Sequence, residues 1–180
     1  MRSLAQFFAS TDPELFALSE IEPGDALALA TRFVRQYAHR GGQALFLKDG
    51  MEIIDVRDEY LPIWPARPFD RRGIVAVQAR YGTTLVYMLT VKLASGRDQR
   101  AAEVRHLRRM VRALQTPAIL CIHLSREAVL HFPRYERVFY DRPLSERVYQ
   151  SGFTVTNSTI DEAPHHGIAT PITATLLSPR

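Results

Sequence analysis

Residues 98–114 constrain the rest of the chain. Ala101, Val104, Leu107, Val111 and Leu114 recur at three- and four-residue spacing, which is the period of an amphipathic helix, while Arg100, Arg105, Arg108, Arg109 and Arg112 take the remaining faces. A strand-like stretch, residues 84–93, precedes this helix. Behind Pro117 comes the apolar run 118–124, short enough for a central strand. Strand, helix and strand in that order predict a crossover, and a sheet whose face the helix covers. Asp98 and Glu103 are interleaved with the arginines, so the polar side reads as a solvated face. The alternative is a basic face that contacts nucleic acid.

The other segments are shorter. Residues 2–9 predict a helix that Asp12-Pro13 breaks, and residues 15–21 predict a buried strand. Pro23-Gly24-Asp25 opens a helix whose apolar face runs through Ala26, Leu27, Leu29, Ala30, Phe33, Val34 and Tyr37, and Gly41-Gly42 ends it. Residues 43–47 and 51–56 flank Lys48-Asp49-Gly50 as a hairpin. A second hairpin, residues 74–79 and 84–93, turns at Tyr81-Gly82. Prolines 62, 65 and 68 make a loop between the two, and weaker strands are expected at 147–150, 153–157 and 172–177. Hairpins mixed with helix crossovers imply an α/β fold, a mixed sheet covered by helices, with two sheets packed together. With 180 residues, of which 46% are hydrophobic, the chain reads as one domain over 1–180.

Composition removes several classes. The single cysteine, Cys121, excludes a disulfide framework and reads as a small buried thiol. The N-terminal stretch lacks a sustained apolar core for a signal peptide, and no window approaches the length of a membrane span, so a soluble cytoplasmic protein is expected. A net charge of +4 permits contact with phosphates, nucleic acid or an acidic partner without specifying one.

Four segments in order resemble the endonuclease/exonuclease/phosphatase superfamily. Asp12-Pro13-Glu14-Leu15-Phe16-Ala17-Leu18-Ser19-Glu20-Ile21 is similar to the strand that ends in the family's metal-binding glutamate. Val91-Lys92-Leu93-Ala94-Ser95-Gly96-Arg97, followed by Arg100 and Glu103, resembles its strand–helix junction. Pro117 to Ser125 occupies the place of the strand ending in "D-x-N", and Pro164-His165-His166-Gly167 that of the final "S-D-H". The resemblance implies a four-layered α/β sandwich, shortened at the N-terminus.

It also implies a chemistry that this sequence keeps only in part. Active members hold magnesium or manganese with carboxylate and amide oxygens, and a histidine paired with an acid moves protons. Here Glu20 matches the metal ligand, and His123 and Ser125 stand at "D-x-N". Lys92 replaces a histidine as a contact for a phosphate or acidic group, and His165 and His166 replace "D-H", with Glu146 as the acid that orients His166. The expectation is a catalytically impaired domain without a cofactor, acting as a binding or interaction subunit. The alternative is a divalent-metal phosphodiesterase or nuclease with a rearranged site. In that case His166, His165 and Glu146 are the catalytic residues, Glu20 and His123 hold the metal, and Lys92 and Ser125 bind substrate. Imidazole ligands would favour zinc or another transition metal over magnesium. The family's opening strand has no counterpart, so association with a second chain or with itself is expected, unless residues 153–157 cover the strand 15–21.

Overall fold

The computed structural model describes Ala9 and residues 12–62, 72–114, 117–124, 130–138, 146–160 and 172–177. Three strands, β1 (Leu15–Ser19), β2 (Arg35–Arg40) and β3 (Gln43–Lys48), form an antiparallel sheet in the order β1-β3-β2. Helix α1 (Pro23–Arg32) leads from β1 to β2. The larger sheet runs β4-β5-β6-β7-β9-β8, built from β4 (Met51–Tyr60), β5 (Gly73–Tyr81), β6 (Thr84–Leu93), β7 (Ala118–Leu124), β8 (Glu136–Arg137) and β9 (Glu146–Ser151). Helix α2 (Arg97–Ala113) crosses from β6 to its parallel neighbour β7. A separate antiparallel pair, β10 (Thr154–Ile160) and β11 (Ile172–Leu177), completes the described elements.

Side-chain alternation along each strand sorts the apolar residues into three interfaces. Phe16, Ala44 and Phe46 meet Ala26 and Ala30 of α1, with the Phe16 and Phe46 rings stacked at 4.4 Å. Leu45 and Leu47, the alternate residues of β3, face Val75, Val77 and Met88 of the larger sheet. Ile74, Leu89, Val91, Leu120 and Ile122 point the other way and pack on Val104, Leu107 and Val111 of α2. The order is therefore helix, sheet, sheet, helix: a four-layered α/β sandwich with two packed sheets.

The second hairpin, α2 and the strand after Pro117 lie where their patterns put them. Of the helix predicted over 2–9, only Ala9 lies among the described residues, and it is helical. Three expectations are corrected. The helix opened by Pro23 stops at Arg32 rather than running to Tyr37: Val34 takes φ 50, and Tyr37 belongs to β2, which pairs with β3 across Gly41-Gly42. Residues 43–48 and 51–60 are not a hairpin; β3 pairs with β1 and β2, while β4 pairs with β5, so Asp49-Gly50 links two layers. Residues 154–160 pair with β11 and do not cover β1, which among the described strands pairs with β3 alone.

Glu103 is a fourth correction. It does not sit on a solvated face but is fully buried beneath α2. Its Oε1 accepts from Arg72 Nε and Nη2 at 3.2 and 2.8 Å and from Gln99 Nε2 at 3.0 Å, while Oε2 accepts from the Ala94 amide at 2.7 Å. Gln99 also donates to the Pro62 carbonyl at 2.9 Å. One carboxylate thus ties the end of β6, the first turns of α2 and both ends of the segment that joins β4 to β5.

Candidate functional site

Lys92 and His123 are register partners at the ends of the parallel strands β6 and β7, and His123 in turn is the register partner of Glu146 on β9. Even-numbered β6 residues such as Met88 and odd-numbered β7 residues such as Ile119 face the smaller sheet. By the same alternation Lys92 and His123 stand on that side, at the rim.

Glu20 reaches this rim from the smaller sheet. It follows β1 directly and adopts φ 62, a left-handed conformation uncommon for a residue with a side chain, so the chain turns sharply there. The turn is clamped from below. The Ile21 amide donates to the Gly42 carbonyl at 3.2 Å, His39 Nε2 donates to the Ile21 carbonyl at 2.9 Å, and Ser19 Oγ donates to Gln43 Oε1 at 2.9 Å. From this position the Glu20 carboxylate forms an ion pair with the Lys92 ammonium, a bridge between the two sheets.

The Lys92 side chain is mostly buried, at 20% exposure, whereas the Glu20 carboxylate is 67% exposed. The hydrogen bond from Lys92 holds the Glu20 carboxyl below its ordinary range against a smaller opposing effect of desolvation. The charges of Lys92 and His123 add to the lowering. A depressed carboxyl contributes stability above its unfolded-state pKa and loses it as pH falls through the folded one. Solvent screening keeps that contribution small for so exposed a group. Replacing Lys92 with methionine is therefore expected to raise the Glu20 pKa, as read from the side-chain carboxyl shift in an NMR pH titration. An unchanged midpoint would show that the ion pair does not form in solution.

Between Ile119 and His123 on β7 lies Cys121, whose thiol is pushed up to about 12 by desolvation. At pH 8 only about one thiol in ten thousand is ionised at that value, so Cys121, although partly exposed, is expected to react with a disulfide reagent far more slowly in the native protein than after unfolding. Rapid labelling of the native protein would contradict this.

The structure thus brings together Glu20, Lys92 and His123, with the backbone of Glu146 alongside. Ser125, His165 and His166 lie outside the described residues. Among the described residues no three His, Cys, Asp or Glu side chains are grouped to hold a metal ion. Sequence reasoning did not find the buried Glu103. The signal available for it was its place in the segment that resembles the family's strand–helix junction.

Two packed sheets, one mixed and one antiparallel, each covered by a helix, with a rim built from the ends of β1, β6 and β7, make the endonuclease/exonuclease/phosphatase fold, and this chain has it. It is similar to an endonuclease/exonuclease/phosphatase protein of Bacteroides vulgatus, with a TM-score of 0.81 and 10% identity over 96% of this chain and 88% of that one. It also resembles a mannosyl-6-phosphatase of Bacteroides thetaiotaomicron (TM-score 0.77, 12% identity, 97% and 89% covered). A humanized TDP2 of D. rerio carrying 14 mutations is similar too (TM-score 0.73, 17% identity, 97% and 89% covered). No protein-family model matches the chain, and no curated protein sequence matches it significantly. No helix among the described residues is long and apolar enough to cross a membrane.

Proposed function

We propose that the chain is a single endonuclease/exonuclease/phosphatase-like domain that acts as a binding or interaction domain, with little or no metal-dependent phosphodiesterase activity. One observation carries this reading: the ammonium of Lys92 is paired with Glu20, the residue that matches the family's metal ligand. A hard dication needs several oxygen donors around it. At this rim the described side chains are one carboxylate, one ammonium and one imidazole, a set that does not fit magnesium. Any such ion would displace Lys92 and leave a mostly buried ammonium beside it. Without a cation to neutralise a phosphate in the transition state, the largest electrostatic contribution to such a reaction is missing.

The edge position of β1 among the described strands of the smaller sheet supports the interaction role, because an edge strand offers backbone groups to an added strand.

A second reading is supported by the register that sets Glu146 beside His123 and by the nearness of His123 to Glu20. It is a rearranged hydrolase centre in which imidazole selects zinc or another transition metal.

Hydrolysis of bis(p-nitrophenyl) phosphate and of DNA, measured with magnesium, manganese and zinc in turn, separates the two. Rates equal to those of Glu20→Ala with every ion are expected. A robust rate abolished by Glu20→Ala overturns the proposal.

A further inference from the structure

The second half of α2 and the stretch 130–135 enclose a cavity of about 330 Å³ that no part of the rim explains. Arg108 lies about 16 Å along the helix from Arg97, which follows the rim-bearing strand β6, so the cavity and the Glu20–Lys92 pair are at different ends of α2. Its apolar lining comes from Val111, Leu114, Pro133 and Tyr135, and its charge from Arg108, Arg112 and Arg134.

The walls are fixed by contacts of their own. Arg108 Nε donates to the His131 carbonyl at 3.1 Å, the Tyr135 hydroxyl donates to the Val111 carbonyl at 3.3 Å, and the Tyr135 amide donates to the Phe132 carbonyl at 3.1 Å. Phe132 is buried and meets the Tyr149 ring edge-on at 5.1 Å, which anchors the stretch to the core. Arg134 adopts φ 73, a left-handed conformation unfavourable for a residue with a Cβ. A preformed cavity with a strained residue at its edge binds without a large ordering cost.

Three arginines, Arg108, Arg112 and Arg134, line the one cavity, a concentration of like charge that an anion would balance. Several arginines elsewhere on the molecule meet acids: Arg40 with Asp58, Arg57 with Asp55, Arg72 with Glu103 and Arg80 with Glu52. The described residues lining the cavity include no carboxylate. Guanidinium is planar and always charged, and it matches phosphate oxygens in pairs. The volume falls at the small end of ligand cavities, roughly 300–1,000 Å³, which suits a compact molecule better than a polymer strand.

We propose that this cavity binds a small phosphorylated molecule of mononucleotide size, its phosphate held by Arg112 and Arg134 and its apolar or ring body seated on Leu114, Pro133 and Tyr135. The site is independent of whether the rim is catalytic.

Calorimetric titration of the full chain with adenosine 5′-monophosphate at low salt tests it. Saturable binding is expected, weakened roughly tenfold or more by Arg112→Glu and by Arg134→Glu, both exposed positions, and weakened again by added salt. Adenosine and inorganic phosphate, each supplying half of the ligand, are expected to bind roughly tenfold more weakly. Arg112→Gln, which keeps the helix and removes only the charge, should give the same direction of change if a reversal disturbs folding. Three results would each overturn the proposal: no binding of the nucleotide, binding indifferent to both arginines, or binding of a single-stranded oligonucleotide without binding of the mononucleotide. Loss of binding in Lys92→Met with no change in Arg112→Glu would place the ligand at the rim and also overturn it.

Discussion

Replacing Glu103 with alanine is expected to destabilise the fold by about 3–5 kcal/mol, the cost of removing one partner from a buried ion pair. Glu103 is wholly buried and accepts from Arg72, Gln99 and the Ala94 amide. Alanine would leave a guanidinium only 16% exposed with its carboxylate gone, and the Ala94 amide without its acceptor. Urea unfolding measures the loss as a shift of midpoint at constant slope. A double-mutant cycle locates it, because Arg72→Ala should cost much less once Glu103 is absent. A loss below about 1 kcal/mol would mean that water replaces these contacts, and the junction would not depend on them.

Gly73→Val is expected to cost at least the upper part of the 1–3 kcal/mol typical of overpacking. A Cβ built on Gly73 overlaps the backbone carbonyl oxygen of Arg40, an atom that cannot move aside by changing rotamer. Here the two sheets approach closely: the Gly73 amide donates to the Gly41 carbonyl at 3.3 Å, and Arg40 pairs with Asp58 and lies 5.3 Å over the Tyr60 ring. Pushing β2 away from β5 would strain all three contacts. Gly24→Ala gives the opposite sign, because that glycine lies near the start of α1 with nothing within 4 Å, and alanine there should stabilise by about 0.5–1 kcal/mol. Thermal melts of the two variants should therefore move in opposite directions. A Gly73→Val protein melting with the parent would contradict the close approach.

What the sequence showed follows from how local each signal is. The run Ala118–Leu124, the hairpin of β5 and β6 and the helix α2 are specified by their own residues, and they lie where periodicity put them. Phe33, Val34 and Tyr37 also have helical spacing. There, however, pairing of residues 35–40 with β3 wins over the local pattern, and Val34 leaves the helix at positive φ. Asp49-Gly50 has turn chemistry whether it joins two paired strands or two layers, and only long-range pairing decides between them. Glu103 looks solvated beside its arginines because Arg72, which neutralises it, is 31 residues away.

Motif order singled out Glu20, Lys92 and His123 separately. Their meeting depends on a turn clamped by the Gly41-Gly42 hairpin and on a pair of residues 72 apart, a relation that no local pattern encodes.

The claim that an ammonium, and not a divalent cation, neutralises Glu20 is tested most directly by titrating magnesium while following the Glu20 side-chain carboxyl resonance. The account predicts no saturable shift at millimolar magnesium in the parent protein, where Lys92 occupies the carboxylate. A saturable shift at sub-millimolar magnesium in the parent protein, accompanied by release of the Lys92 ammonium signal, would contradict it.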